Sequence, residues 1–477
     1  MLGVPNTQPS EGVKMIKQLL ERGFMLKSAD TLKQTLASNI ADAETSVLLK
    51  AVMEEREVKK RDLETAQQEL ADAIQREALR TPEKEDKVSF FPRDPVMSLV
   101  QSSIQQYCEE KKPNQILEKS AEIRAAKKGE IPVANRELDA NLQELFAPTQ
   151  GKLLNAFEKL DIGWANCTLA AGIRGWRGRY AFNDQPAAPY KIGNNARVIL
   201  VSDWGSGLVR AQKVAEAIRK ELVDPKAVNR DKHVIHLGDV YYSGWAKEYE
   251  SNFLPYWPVR EGEEDQYSSW TLNANHDMYS GGKGYFDYLL SDRRFKRQEQ
   301  SSFFSLENDK WLLLGLDTGY HQNTFDPHDL FGEQNKWVHQ RLTSTDKTGI
   351  LLSHHQPFSA FDKGGEKILE KLQAPLLAGF VRAWFWGHEH RCTFYQSREN
   401  IEYPRCIGHG GIPFYVKNDP LPTADGVIYE YRDGFDDLLE SWNYFGFVVL
   451  DFDHDTIQAR YINERSTPHQ EETLTRA

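Results

Sequence analysis

Two apolar runs end in aspartate: RVILVSD over residues 197–203 and HVIHLGD over residues 233–239. A short apolar run without polar alternation reads as a strand buried on both faces, which requires layers packed over each side of its sheet. The first run is followed by GSG at 205–207 and by VRAQKVAEAIRKEL at 209–222, which has helical periodicity. Further strands are predicted at WTLNAN (270–275), WLLLGLDT (311–318), TGILLSHH (348–355), AWFWGHEH (383–390), GFVVLDFD (446–453) and TIQARYIN (456–463), with helices at EQNKWVHQRL (333–342) and GEKILEKL (365–372). Buried strands alternating with helices define an α/β class, a mixed sheet with helices on its faces. Active groups in such folds gather beyond the carboxyl ends of the strands.

Polar residues stand at those ends. They are Asp203 in SDWGSG, Asp239 and Tyr242 in GDVYYSG, Asn275, His276 and Asp277 in NANHDMYSGG, His354 and His355 in LLSHHQP, and His388 and His390 in FWGHEH. Imidazole and carboxylate or amide oxygen together make a mixed shell for transition metals. One carboxylate can bridge two cations, and two-metal centres suit phosphoryl displacement. Each piece alone is weak; a lone HxH is more often a surface feature. The ordered set, each member following an apolar strand, is specific.

The order D-x-G, G-D-x-x-Y, N-H-D, H, G-H-x-H resembles the calcineurin-like metallophosphoesterases, and within them the purple acid phosphatase branch, over residues 196–463. GLDTG (315–319), the EQNKWVHQRL helix and GHGGIP (408–413) extend the resemblance. It implies a β-sandwich flanked by helices (αββα). It also implies that Asp203, Tyr242 and His390 hold one metal, that Asp239 bridges, and that Asn275, His354 and His388 hold the second. His276 would protonate the leaving oxygen or grip phosphate, and Asp277 would orient His276 or stabilise its loop. The wider family has histidine two residues after its first aspartate. Gly205 stands there, so Tyr242 is read as the compensating ligand, with Tyr241 packing on the other face. Counting from the strand favours His354 as the ligand, while counting back from Pro357 favours His355; His354 is preferred. Ala274 replaces the usual glycine before the asparagine. Lys363 stands where these phosphatases usually have a further histidine, as a phosphate contact or a surface lysine.

The chemistry implied is hydrolysis of phosphate mono- or diesters, in which two cations (iron with iron, zinc or manganese) make hydroxide available near neutral pH. A net charge of −11 and a pI near 5.7 argue against a nuclease, because polyanion binders present basic surface. The acidic stretch at 425–442, an insertion near the site, argues the same way. No apolar window approaches the roughly 20 residues that span a bilayer. The N-terminus lacks a signal-peptide pattern. Cys108, Cys167, Cys392 and Cys406 have no CxxC spacing and read as reduced thiols. A cytoplasmic protein is expected, with signal-free export left open.

Residues 1–160 differ in kind: rich in Glu, Lys, Gln, Ala and Leu, they read as a helical N-terminal domain that packs or binds a partner. KMIKQLLERGF (14–24) reads as a helix capped by Gly23. Residues 46–82 read as one long helix, with Leu49, Val52, Leu63, Ala66, Leu70 and Ala73 at heptad spacing and Arg56 and Lys59 interrupting the seam. FFPRDP (90–95) marks a turn before a helix near 96–110. Residues 161–195 read as a Gly/Pro/aromatic connector that packs on the second domain, and 464–477 as a polar tail. A regulatory protein whose helical half controls the phosphoesterase, and a metal scaffold without turnover, are the competing functions.

Overall fold

The computed structural model describes residues 20–42, 49–50, 53–54, 57–82, 90–111, 169–170, 172–175, 178–320, 328–416, 419–436 and 441–476. The chain divides into two compact units, Met1–Arg177 and Gly178–Ala477.

The first unit contains helices Arg22–Asp42, Lys60–Leu79 and Pro95–Lys111. Gly23 does not cap a helix; it lies one residue inside Arg22–Asp42. Met25, Ala29, Leu32 and Leu36 are buried at helical spacing, and that apolar stripe outweighs the glycine. Residues 14–19 of the expected helix lie outside the described residues. The expected helix over 46–82 is interrupted, because Glu57 is left-handed (φ 53°) and the helix restarts at Lys60. The break coincides with the charged interruption of the seam, and beyond it Leu63, Ala66, Leu70 and Ala73 are fully buried. Asp94 caps the third helix by accepting from the backbone N–H groups of Val96 and Met97 at 2.9 and 3.2 Å.

The second unit is built on two large sheets. Its strands are β1 Tyr190–Lys191, β2 Arg197–Val201, β3 Lys232–His236, β4 Tyr267–Thr271, β5 Phe304–Glu307, β6 Trp311–Leu316, β7 Thr348–Ser353, β8 Val381–Trp386, β9 Cys392–Tyr395, β10 Tyr403–Ile407, β11 Val427–Glu430, β12 Gly434–Asp436, β13 Ser441–Asn443, β14 Gly446–Asp453, β15 Thr456–Asn463 and β16 Pro468–Thr475. One sheet has the order β16-β15-β14-β2-β3-β4 and the other β1-β5-β6-β7-β8-β10-β9-β11; β12 and β13 pair separately. Strands β2, β3 and β4 run parallel, as do β6, β7 and β8. Their carboxyl ends therefore line up within each sheet, which brings together residues distant in sequence.

Three apolar clusters follow from the strand pattern. Val198, Leu200, Ile235 and Leu450 of the first sheet share one cluster with Leu313, Ile350, Phe385 and Phe394 of the second. Ile199, Val201 and Val234, one residue out of phase, join Val214 and Ile218 of helix Val209–Leu222. Leu312, Leu351 and Trp384 join helices Gln334–Thr343 and Glu366–Leu377 through Val338, Leu342, Ile368 and Leu372. The two-residue period of a strand separates the faces.

Residues 178–195 of the connector pack within the second unit, with Tyr180 stacked on Phe286 at 4.9 Å and β1 paired with β5. Residues 464–477 are not a free polar tail, since 468–475 form the edge strand β16. An edge strand tolerates polar side chains. Here only Leu474 is fully buried, while Glu472 accepts from Arg405 Nη2 at 2.7 Å.

Candidate metal centre

Asp203 and Asp239 follow β2 and β3, both in left-handed backbone (φ 54° and 76°), and His388 and His390 after β8 share that region (φ 68° and 53°). Non-glycine residues rarely stay there without a functional reason, the cost being on the order of 1 kcal/mol or more each. The turns deliver four side chains to one place. Gly205 permits the approach: a Cβ there would lie 2.7 Å from Val240 Cγ2 and 2.9 Å from the Asp239 carbonyl. Its backbone instead pairs with Val240 as an extension of the parallel ladder.

Asp203 is fully buried. One of its carboxylate oxygens accepts from Ser202 Oγ at 2.7 Å and His388 N–H at 2.9 Å. The other lies 3.3 Å from the Tyr241 hydroxyl and 3.5 Å from His390 Nε2. Asp239 Oδ1 accepts from His276 N–H at 3.1 Å, while Oδ2 accepts from the Tyr241 hydroxyl at 2.9 Å and faces His354 Nε2 at 3.4 Å. Asn275 Oδ1 lies 3.0 Å from His354 Nε2, its amide N–H donating to Tyr279. His388 Nδ1 is 3.3 Å from His354 Nε2. Donor atoms of Asp203, Asp239 and His390 lie within 4.8 Å of one another, as do those of Asp239, His354 and His388, and Asp239 is common to both groups.

The Tyr241 phenol reaches this cluster. Val240 bridges Gly205 and packs into the core, while Asp239 and Tyr241 on either side of it meet through the Tyr241 hydroxyl and Asp239 Oδ2. The expectation that Tyr241 packs away from the site is thereby overturned. Tyr241 also makes a 3.1 Å contact with His390 Nε2. Tyr242 gives the site its backbone: its carbonyl accepts from His276 Nδ1 at 2.6 Å.

His354 donates from Nδ1 to the Leu237 carbonyl at 3.0 Å, which turns Nε2 toward the cluster. His355 instead contacts Thr318 Oγ1 at 2.9 Å and stacks on His328 at 3.8 Å. His276 is buried between Tyr241 and Tyr279, at ring separations of 4.4 and 4.7 Å. Asp277 stabilises the loop, accepting from the Asp239 N–H at 3.1 Å and from the Tyr249 hydroxyl. Ala274 is extended (φ −141°), a conformation open to any residue, so alanine in place of glycine leaves the turn intact. Lys363 is exposed.

Burial pushes Asp203 up to about 7, His354 opposing and Asp239 adding to the shift. Burial works against charge on Asp239 too, but the imidazoles of His354 and His276 hold it well below the usual carboxylate range. His354, despite burial, is raised to about 9 by Asp239. Burial lowers His276 and, further, His388. Two buried carboxylates facing imidazole, amide and phenol form a mixed oxygen and nitrogen set without sulfur, which suits iron, zinc or manganese.

Two participants carry no sequence signal. His328 follows no apolar run, yet its donor atom lies within 4.8 Å of those of His355 and His388, and its Nδ1 is buried without a hydrogen-bond partner. Glu248 accepts from the backbone N–H groups of Tyr242, Ser243 and Trp245 at 2.7 to 3.0 Å, fixing the loop that presents Tyr241.

Residues 196–392 match the family of calcineurin-like phosphoesterases. Solved structures similar to the chain include GAP50, the anchor in the inner membrane complex of Plasmodium (12% identity, covering 59% of this chain and 89% of that one, TM-score 0.42). Others are the cold-active protein-tyrosine phosphatase of a psychrophilic Shewanella (12%, 61% and 83%, 0.31) and Vps29 of Chaetomium thermophilum (9%, 60% and 100%, 0.24). TM-scores below 0.5 carry no functional weight. No curated protein matches the sequence. Among the described residues no helix is long and apolar enough to cross a membrane.

Proposed function

We propose that residues 178–477 form a two-sheet αββα sandwich that hydrolyses phosphate esters at a dinuclear metal centre. Asp203, Tyr241 and His390 would hold one cation, Asn275, His354 and His388 the other, and Asp239 both. The observation that carries this reading is the membership of Asp239 in both donor groups. When bound, the cations supply charge neutralisation at the phosphoryl oxygens and acidify a water.

The chain's own residues do the rest. A carbonyl only accepts, so His276 keeps Nδ1–H on Tyr242 and offers Nε2 to the leaving oxygen. Burial lowers His276, and a phosphate beside it favours the imidazolium that donates the proton. Tyr241 and Tyr279 sandwich the ring and limit its rotation. His328 and His355 stand beside His388 as further phosphate contacts. The helical unit, none of whose described residues enters either donor group, is assigned to binding a protein partner.

The test is hydrolysis of p-nitrophenyl phosphate and its bis-ester by the full chain, with metal content measured in parallel. Turnover that tracks metal loading supports the reading. Full metal loading with no hydrolysis of either ester would favour the scaffold.

A further inference from the structure

We propose that Cys392, His409 and His469 form a second site, for a borderline-soft divalent cation of the zinc class, at the far side of the loop that borders Asp203. The three ligand atoms lie within 4.8 Å of one another. They come from separate segments: Cys392 opens β9, His409 follows β10, and His469 belongs to β16 of the other sheet. Cys392 and Ile407 are paired residues of neighbouring strands, which brings His409 back beside the thiol. His469 falls at the irregularity where β15 and β16 change register, and such bulges re-aim a side chain.

His409 is 2% exposed; neither ring nitrogen has a partner in good hydrogen-bond geometry, and the Ile407 backbone acts on the ring only electrostatically. A buried imidazole so poorly partnered is costly unless something occupies it. His469 has the arrangement of an oriented ligand. Its Nδ1 contacts the Tyr429 hydroxyl at 2.9 Å, its ring stacks on Tyr431 at 3.6 Å, and its Nε2 is unpaired. Gly446 leaves the room, since a Cβ there would lie 2.5 Å from His409 Nε2. The loop is two-sided: a Cβ at Gly408 would lie 3.0 Å from Asp203 Oδ2, whereas His409 reaches the cysteine.

One thiolate with two imidazoles leaves a fourth position for water and suits zinc or cobalt(II). The metal would tie β9, one strand in from the edge of one sheet, to β16, the edge strand of the other.

The discriminating feature is sulfur, which the Asp239 centre lacks. Chelator-stripped full-length protein is titrated with cobalt(II) and followed in the near ultraviolet for thiolate-to-cobalt charge transfer. The band should grow to a single equivalent, vanish in Cys392→Ser, survive in Cys108→Ser and Cys167→Ser, and need about 10-fold more cobalt in Tyr429→Phe. Should Cys392→Ser fail to fold, His469→Gln at the half-exposed edge carries the same readout and should weaken binding at least as much as Tyr429→Phe. A folded wild-type protein that gives no band, or a band unchanged in Cys392→Ser or in His469→Gln, overturns the site.

Discussion

The Tyr241 hydroxyl donates to Asp239 Oδ2 across 2.9 Å, from a residue only two positions further along the chain. Burial and the two carboxylates raise the phenol well above its usual range, so in the metal-free protein it is a hydrogen-bond donor. Only a cation replacing that proton would make it a phenolate ligand. Tyr241→Phe should therefore abolish any visible phenolate-to-iron band of the ferric protein and weaken one metal. Tyr242→Phe should retain both the band and the metal. Absorbance and metal analysis of the two variants decide between them, and loss of the band in Tyr242→Phe alone would reverse the assignment.

The adjacent histidines should separate in the same way. His354→Ala removes the nitrogen facing both Asn275 and Asp239 and should strip at least one metal. His355→Ala loses a contact with Thr318 and the stack on His328, so it should keep its metals and bind substrate less well. Metal content with steady-state kinetics tests the pair.

His276 touches the cluster through its backbone N–H, while its ring is held by the Tyr242 carbonyl. His276→Ala should lose about 100- to 10,000-fold in kcat with metal retained, the usual worth of general acid catalysis. Loss of metal in that variant would make His276 a ligand.

The chelated protein should become less stable from pH 6.5 to 9. The histidines whose values are lowered by burial (His236, His276, His328, His355, His388, His409 and His469) complete their contribution by about 6.5, their usual value. The groups raised by the fold set the slope above it. Each favours the protonated form in the folded state, so its stabilisation is lost between its ordinary and its folded value: Asp203 and Glu389 complete that loss near 7, Asp277 near 8, and His354, starting from 6.5, near 9. Bound metal holds Asp203 and His354 unprotonated and should flatten the fall. Melting temperatures of chelated and loaded protein across this range check the sign; a chelated protein that gains stability would refute it.

The sheet strands and most of the cluster are legible in sequence because each apolar run ends where a ligand begins. Asp203, Asp239, Asn275, His354, His388 and His390 all stand at such ends. Tyr241 escapes the motif because the vacancy at Gly205 is matched with Tyr242 by spacing alone, whereas contact with Asp203, Asp239 and His390 is a three-dimensional property of the turn that follows Val240. His328 has no preceding strand to mark it. Glu248 acts on backbone N–H groups, which leave no side-chain pattern. Gly23 and residues 57–59 show the converse, where apolar periodicity and its interruption outweighed a glycine and a long polar run.

The central claim, that Asp239 unites two cation positions in a hydrolytic centre, is tested most directly by metal stoichiometry and p-nitrophenyl phosphate turnover in wild type and Asp239→Asn. Wild type should bind two metals at this centre and lose turnover on chelation, with recovery on metal return. Asp239→Asn should release at least one metal and most of the activity. An Asp239→Asn protein that remains fully loaded and active would contradict the account.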